Sequence, residues 1–465
     1  MTPPSPQSGT PPTLAEVLQD RVLWWFLALG LYLRFYTLAR WPTLLCLRDE
    51  CTYLALSQRI LEGEGMTPAA AGWLWAPGYP ALLALHELVF GVAGGLRVTQ
   101  ALLSPLMILL AAALCRAWAE TEAQGRQAAR WVAALIALSP TLIFFSVRLW
   151  SESLYLTVLL GSLWALTRAR SVTVGRGLAP AVVAGLLLGL AVLSRGVAQY
   201  LGPLFVLGLL WGRPRAGAPQ VVALVLAASL TVAPYSAWAT QRWGSFTLSD
   251  RTLGQMMWLG DNSFPPITFD HGVGVTDPQR FDQVTATGRP HCEFNGDPAA
   301  WDACETAGGK AWIRANPGEF FRRVPQRLAQ LMNPNSFLTR HLAMGRWASL
   351  PREASVGLAG LTVVWSLAAM LGGSAALLLR GRGWAAALTA LILGYHCAAI
   401  AITAGLSRYR VPLDGLLLLW LALALGDWPG TRRVFTESPA RGAAALLVAL
   451  VLFGLALRSL APGFL

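Results

Sequence analysis

The sequence predicts an all-α polytopic membrane protein of about eleven transmembrane helices, and three observations carry that expectation. Of 465 residues, 55% are hydrophobic and only 13% are charged, against about 25% charged in an ordinary soluble domain. Mean hydropathy is +0.50. Apolar stretches near the roughly 20 residues that cross a bilayer recur from Val22 to the C-terminus, leaving two long polar intervals, about 41–95 and 241–355. The net charge of +12 would suggest nucleic acid in a soluble protein, but here the arginines flank apolar runs, which points to membrane topology instead.

Taken in chain order, residues 1–21 are rich in Pro, Ser and Thr and read as a disordered cytoplasmic tail. No cleavable signal peptide is evident, because a full-length apolar run follows without a small-residue cleavage site; the first helix is expected to serve as the anchor. Spans are expected near 22–40, 96–116, 128–146, 150–168, 178–195, 197–212, 218–239, 356–379, 384–404, 408–427 and 442–460. With the N-terminus inside, the inner connections hold Arg116, Arg126, Arg130, Arg168, Arg170, Arg176, Arg213, Arg215, Arg380, Arg382, Arg432, Arg433 and Arg441, the bias expected of cytoplasmic loops. Both polar intervals then lie outside. The chain divides into an N-terminal membrane module over 22–240 containing the first outer loop 41–95, an outer domain over 241–355, and a C-terminal membrane module over 356–465. No internal repeat is apparent.

In the first outer loop, Tyr53, Leu56 and Ile60 recur at helical spacing among Ser57, Gln58 and Arg59, the pattern of a helix lying at the interface. Trp73, Trp75 and Tyr79 in WLWAPGYP suit the headgroup level, and 79–91 reads as a second interfacial helix. The outer domain, with NPNSF and scattered Trp, shows little predictable regular structure. Cys46, Cys51, Cys115 and Cys397 lack metal-ligand spacing. Cys292 and Cys304, twelve positions apart in a segment placed outside, are expected to form a disulfide.

Charged residues in apolar surroundings are the candidates for chemistry. Asp49 and Glu50 follow the first span, where a carboxylate could take a proton from an acceptor or simply stabilise a helix N-terminus. Glu152 stands at the outer junction of two apolar helices and needs a polar partner; Arg148, four residues earlier, offers an ordinary helix-end ion pair. Arg195, Arg408 and Arg410 fall on the side where the inside bias predicts few cations. They either snorkel to the interface or hold a phosphate through guanidinium forks. Four outer arginines and three carboxylates from separate junctions would converge on one face. There is no Walker loop, dinucleotide fingerprint or His-Glu zinc motif, which disfavours a nucleotide-driven reaction; His86, His271, His291, His341 and His396 are isolated.

These residues resemble the GT-C membrane glycosyltransferases, in particular the bacterial branch that includes protein O-mannosyltransferases and lipid A aminoarabinose transferases. Asp49–Glu50 followed by Tyr53 is similar to that family's first-loop motif, and APGYP resembles the start of the helix after the loop. The run GRQAARWVAALIALSPTLIFFSVRLWSESLYL is similar to the third and fourth helices, with Glu152 at an acidic position. GLLLGLAVLSRGVAQYLGPLFVL resembles the next helix pair, and RYRVPLDGLLLL the basic-aromatic opening of a late helix. The resemblance implies a GT-C-like bundle, a catalytic base at Asp49 and donor-phosphate contacts at Arg408 or Arg410. The outer region is smaller than in better-known members, so acceptor identity does not carry over.

The expected activity is transfer of a hexosyl or pentosyl group from a polyprenyl-phosphate donor to a lipid, glycan or protein acceptor, on the outer face of a bacterial inner membrane. Asp49 would act as base, with Glu50 or Glu152 as a second carboxylate and Arg148, Arg195, Arg408 and Arg410 around the donor phosphate. Tyr53, Trp75, Tyr79 and Tyr409 would line the substrate. A single displacement implies inversion, and the resemblance favours metal independence, with a divalent metal on the second carboxylate as the other option. A glycan polymerase or ligase using lipid-linked sugars is the alternative enzyme; a transporter or lipid flippase is the alternative outside enzymology.

Overall fold

The computed structural model describes residues 11–40, 49–68, 74–213, 217–263, 286–343, 345, 347 and 349–460. Cys46, Trp73, Arg215 and His271, singled out above, lie outside them. Among the described residues the structure is helical, with one isolated antiparallel bridge between Leu74 and Arg251.

The described part of the tail expected to be disordered includes a short helix, α1 (Leu14–Leu18), because Thr13 and Glu16 close a reciprocal cap on its first turn and Val17 is fully buried. The first span is α2 (Arg21–Arg40). The first outer loop carries α3 (Asp49–Leu61) and α4 (Gly78–Phe90), both near the positions expected for interfacial helices. Next comes α5 (Leu96–Trp118). The span expected over 128–146 is broken into α6 (Glu122–Ala137) and α7 (Pro140–Ser146), bent by 64°. Ser139 caps α7 by accepting from the Leu142 amide, and Pro140 sits in its first turn, where a missing N–H costs nothing.

The helices α8 (Glu152–Ser171) and α9 (Val174–Ser194) form a hairpin. The expected span over 197–212 is a 3-10 turn, Gly196–Tyr200, followed by the short α10 (Gly202–Leu210). A long α11 (Ala218–Trp243) leads to the outer region. That region holds α12 (Leu253–Gly260), α13 (Pro298–Ala315), α14 (Pro317–Leu331) and α15 (Phe337–Ala343), more regular structure than its composition suggests. The remaining spans are α16 (Arg352–Leu367), continued through a π-turn into α17 (Gly373–Arg380), then α18 (Gly383–Ile402), α19 (Val411–Gly426) and α21 (Pro439–Leu460); the ten-residue α20 (Trp428–Glu437) joins the last two.

Eight of these segments are long and apolar enough to cross a membrane, and nine if α6 and α7 count as one. The eleven expected spans include two others: α8, whose charged ends dilute its hydropathy, and the interrupted 196–210 segment. Burial sorts the helices by layer. The apolar window through α19 is 78% buried, whereas those of α11 and α21 are 17% buried. The first packs against α5, α6, α8 and α17 in the interior, and the other two turn most of their apolar surface outward, as lipid requires.

Candidate functional site

Connectivity brings one end of the bundle together from four places: the start of α3, the turn between α7 and α8, the 3-10 turn after α9, and the 3-10 turn Ser407–Arg410 before α19. The turn residue Arg408 is the hub. Its Nη1 pairs with Asp49 Oδ2 and its Nε with Glu152 Oε1, so one guanidinium spans two carboxylates that lie about a hundred residues apart in sequence. Its Cζ lies 4.1 Å from the centre of the Trp150 ring and 5.9 Å from that of Phe337, and the two rings meet edge to face at 4.8 Å. The aromatic faces add cation–π attraction to the two ion pairs.

Glu152 is fully buried in the first turn of α8. The same Oε1 that accepts from Arg408 also lies 2.6 Å from Arg195 Nη1, while Oε2 has no hydrogen-bond partner among the described residues. Arg195 sits between the Tyr155 and Tyr409 rings, 6.0 and 5.8 Å from their centres, and Nη1 donates to Ser151 Oγ at 3.4 Å. Asp49, Arg408, Glu152 and Arg195 therefore make one chain of alternating charge. Asp49 is its most accessible member, with a side chain 24% exposed against 0–11% for the other three.

Glycines set the backbone positions that make this convergence possible. A Cβ at Gly196, next to Arg195, would lie 1.8 Å from Asp250 Oδ2; Asp250 accepts from Gln199 and from Thr252 Oγ1 at 2.8 Å, clamping the 3-10 turn. A Cβ at Gly78 would lie 2.8 Å from the Leu193 carbonyl oxygen, so the glycine of APGYP lets α4 approach the end of α9. On the other flank, Gly260 and Gly405 admit the Thr403 and Arg327 carbonyls within 2.1 and 2.2 Å of where a Cβ would stand. Arg327 bonds the carbonyls of Ala401 and Gly260 and the Asp261 carboxylate at 2.7–2.8 Å, tying the outer region to the segment that leads into Arg408.

Several expected site residues are placed elsewhere. Glu50 is fully buried: its Oε2 pairs with Arg148 and its Oε1 accepts from the Leu149 amide at 2.8 Å. Arg148 is thus the partner of Glu50 rather than of Glu152, and this pair joins α3 to the α7–α8 turn beside the charge chain instead of within it. Arg410, expected on the donor phosphate, is also buried; it pairs with Asp414 at 3.0 Å and donates to the carbonyls of Leu331 and Asn333 at 3.2 and 2.5 Å. The reason is helical geometry, since the 3-10 turn projects residues 408 and 410 in different directions. Tyr79, expected against substrate, is 0% exposed and donates to Gln100 Oε1 at 2.8 Å. With Tyr53, 5.1 Å away, and Trp75, 5.5 Å from Tyr53, it forms a packed aromatic wall behind Asp49. Tyr409 borders the site through Arg195, and its hydroxyl donates to Met256 Sδ at 3.5 Å.

Trp150, Ser151, Tyr155, Phe337 and Asp250 are contributors that the sequence reading passed over. Trp150, Ser151 and Tyr155 carried a signal, since they lie within RLWSESLY around Glu152, and Phe337 ends the NPNSF run; nothing local marks Asp250. In the outer region Cys292 and Cys304 are joined by a disulfide with Cα atoms 6.3 Å apart, and Cys51 is also disulfide-bonded. Beside the first bridge, buried Glu305 pairs with Arg289 at 2.6 Å and with His291 at 2.9 Å, and these hydrogen bonds hold its carboxyl below the usual range despite the burial. Among the described residues no three His, Cys, Asp or Glu side chains gather as a metal-ligand set.

The chain is an all-helical, multi-pass membrane protein with a carboxylate–arginine centre at one end of its bundle. No protein-family model matches it, and no curated protein matches it by sequence. Among solved structures it is similar to the Archaeoglobus fulgidus oligosaccharyltransferase complexed with Zn and sulfate, at 18% identity and a TM-score of 0.49 over 94% of this chain and 52% of that one. It is also similar to ArnT from Cupriavidus metallidurans, in the apo state at 17% identity and a TM-score of 0.40 (87% of this chain, 76% of that one) and bound to undecaprenyl phosphate at 16% and 0.36 (86% and 77%). The chain spans about half the length of the oligosaccharyltransferase.

Proposed function

We propose that this protein is an integral membrane glycosyltransferase of GT-C type, which transfers a sugar from a polyprenyl-phosphate donor to a hydroxyl or amine of a lipid, glycan or protein acceptor at the membrane surface. The observation that carries the reading is the chain Asp49–Arg408–Glu152–Arg195. It joins a partly exposed carboxylate to two guanidinium forks at one end of the bundle, where a lipid-borne donor and a water-borne acceptor would meet. The donor phosphate would seat against Arg408 and Arg195. The acceptor O–H or N–H attacks the anomeric carbon as the bond from that carbon to the phosphate oxygen breaks. The proton passes to Asp49, and the pair of electrons leaves on the polyprenyl phosphate. Negative charge grows on the phosphate in the transition state, so fixed cations there lower the barrier. One displacement inverts the anomeric centre. Glu152, buried and bonded to both arginines, positions them.

Two features support an outward-facing site. The exposed arginines of the inner connections, including Arg126, Arg382, Arg432 and Arg433, gather at the opposite end, where the positive-inside rule puts the cytoplasm. The Cys292–Cys304 bridge lies in the outer region, which suits an oxidising compartment.

The test is Asp49→Asn, nearly isosteric but unable to accept the proton, assayed in proteoliposomes with undecaprenyl-phosphate sugars and by mass analysis of membrane glycolipids and glycoproteins. General-base catalysis typically contributes about 10²–10⁴-fold, so transfer should fall by at least that order while undecaprenyl phosphate binding persists. A folded variant with near-normal transfer would refute the role of Asp49. Loss of uptake of a solute, with glycan products unchanged, would refute the enzyme reading altogether.

A further inference from the structure

The helix α20 lies at the end of the bundle remote from the charge chain. One residue, Asp427, separates it from α19, and one, Ser438, separates it from α21. With both flanking helices crossing the membrane, a ten-residue helix tethered so closely cannot leave the membrane surface. Its position is fixed from below as well. Asp427 caps it by accepting from the Gly430 amide at 3.2 Å, pairs with Arg380 at 3.0 Å and accepts from Gln124 at 2.9 Å. Thr431, 3% exposed, donates to the Ala424 carbonyl at 3.0 Å.

The rest of α20 is open. Trp428 is 59% exposed and Phe435 46% exposed, and with Arg432 they share one face by their i, i+4, i+7 spacing. Arg432 and Arg433 are exposed and have no ion-pair partner among the described residues. An exposed Trp and Phe flanking two unpaired guanidinium groups would be an aggregation liability in water. At a headgroup layer the same set is complementary: rings sit at the acyl boundary and the forks reach phosphates.

We infer that α20 is an interfacial docking site for anionic phospholipid headgroups in the leaflet opposite the charge chain, with Arg432 and Arg433 gripping the phosphate and Trp428 and Phe435 seated among the acyl chains. This surface is independent of the proposed reaction. A juxtamembrane cation is worth about fivefold in affinity for an anionic surface, so two contribute about twenty-fivefold.

The experiment uses the purified full chain in nanodiscs of phosphatidylcholine with and without phosphatidylglycerol, read by native mass spectrometry for retained lipid and by thermal unfolding. The wild-type chain should retain phosphatidylglycerol in preference and melt higher in its presence, an increment that shrinks at high salt. The double variant Arg432→Gln, Arg433→Gln should lose about twenty-fivefold of that preference, and Arg432→Lys, Arg433→Lys should keep most of it, which separates charge from misfolding. Equal retention by the wild type and the Gln pair would overturn the inference. So would an equal rise in melting temperature with inorganic phosphate alone in phosphatidylcholine discs, because the ligand would then be a free anion and not a lipid.

Discussion

Arg408 is held by two carboxylates and two aromatic rings, and that geometry depends on a planar fork. Lysine keeps the charge but loses the planar fork through which Nη1 meets Asp49 and Nε meets Glu152. Charged hydrogen bonds are worth about 1.5–3 kcal/mol each, so Arg408→Lys and Arg195→Lys should each lower transfer by about ten- to a hundredfold in the proteoliposome assay. Arg410→Lys differs: its bonds to Asp414, Leu331 and Asn333 are structural, so its effect should appear as a lower melting temperature with the turnover of the folded fraction kept. Asp250 provides a pH readout at the same scale. Burial pushes its carboxyl from 3.8 up to about 6, with the Thr252 and Gln199 hydrogen bonds and Arg195 opposing the rise. A raised carboxyl pKa means that the folded state binds the proton more tightly, so this stabilisation is full below about pH 4 and disappears as pH rises through 6. Asp250→Asn should flatten that part of the stability profile, measured by thermal unfolding from pH 4 to 7. An unchanged slope would show that another group titrates there.

Among the elements, the 3-10 turns after α9 and before α19 are where apolar helices give way to site residues. Gly196 is the sharpest constraint, because any side chain would collide with the Asp250 carboxylate. Gly196→Ala should therefore displace the turn that carries Arg195, costing activity well beyond its effect on stability, as transfer rate and melting temperature measured together would show. The break between α6 and α7 was hidden in the sequence, where 128–146 reads as one span. The Ser139–Pro140 cap was visible in the letters, but the apolar residues on both sides masked it. Conversely, the aromatic pattern of WLWAPGYP announced an interfacial segment and led to the expectation of Trp75 and Tyr79 beside substrate; the structure shows Tyr53 packed against both the Trp75 and the Tyr79 ring.

At the scale of the whole molecule, the outer region is fastened to the membrane bundle by Arg327 and by the close approaches at Gly260 and Gly405. Within the outer region the Cys292–Cys304 bridge closes a short loop beside the buried Glu305 cluster. Removing a bridge of this kind typically costs about 2–4 kcal/mol. The double variant Cys292→Ser, Cys304→Ser should melt lower, and both cysteines of the wild type should resist thiol labelling under denaturing, non-reducing conditions. Ready labelling of both would rule the bridge out. The charge chain lies at one end of the bundle and not at its middle, a position that suits chemistry at the surface better than passage through the membrane.

The sequence alone determined that this chain is helical and lives in a membrane, since lipid demands long apolar runs with internally satisfied backbones, and such runs are legible one segment at a time. It also marked Asp49, Glu152, Arg195 and Arg408, because a charge beside hydrocarbon is costly enough to demand a reason. Which charge neutralises which was decided only in three dimensions. Glu50 and Arg148, and the four-membered chain itself, are satisfied by partners brought together by helix packing, whereas Arg410 and Asp414 pair four positions apart at the start of one helix. Electrostatic pairing depends on a few ångströms of separation, which neither spacing nor composition encodes across hundreds of residues.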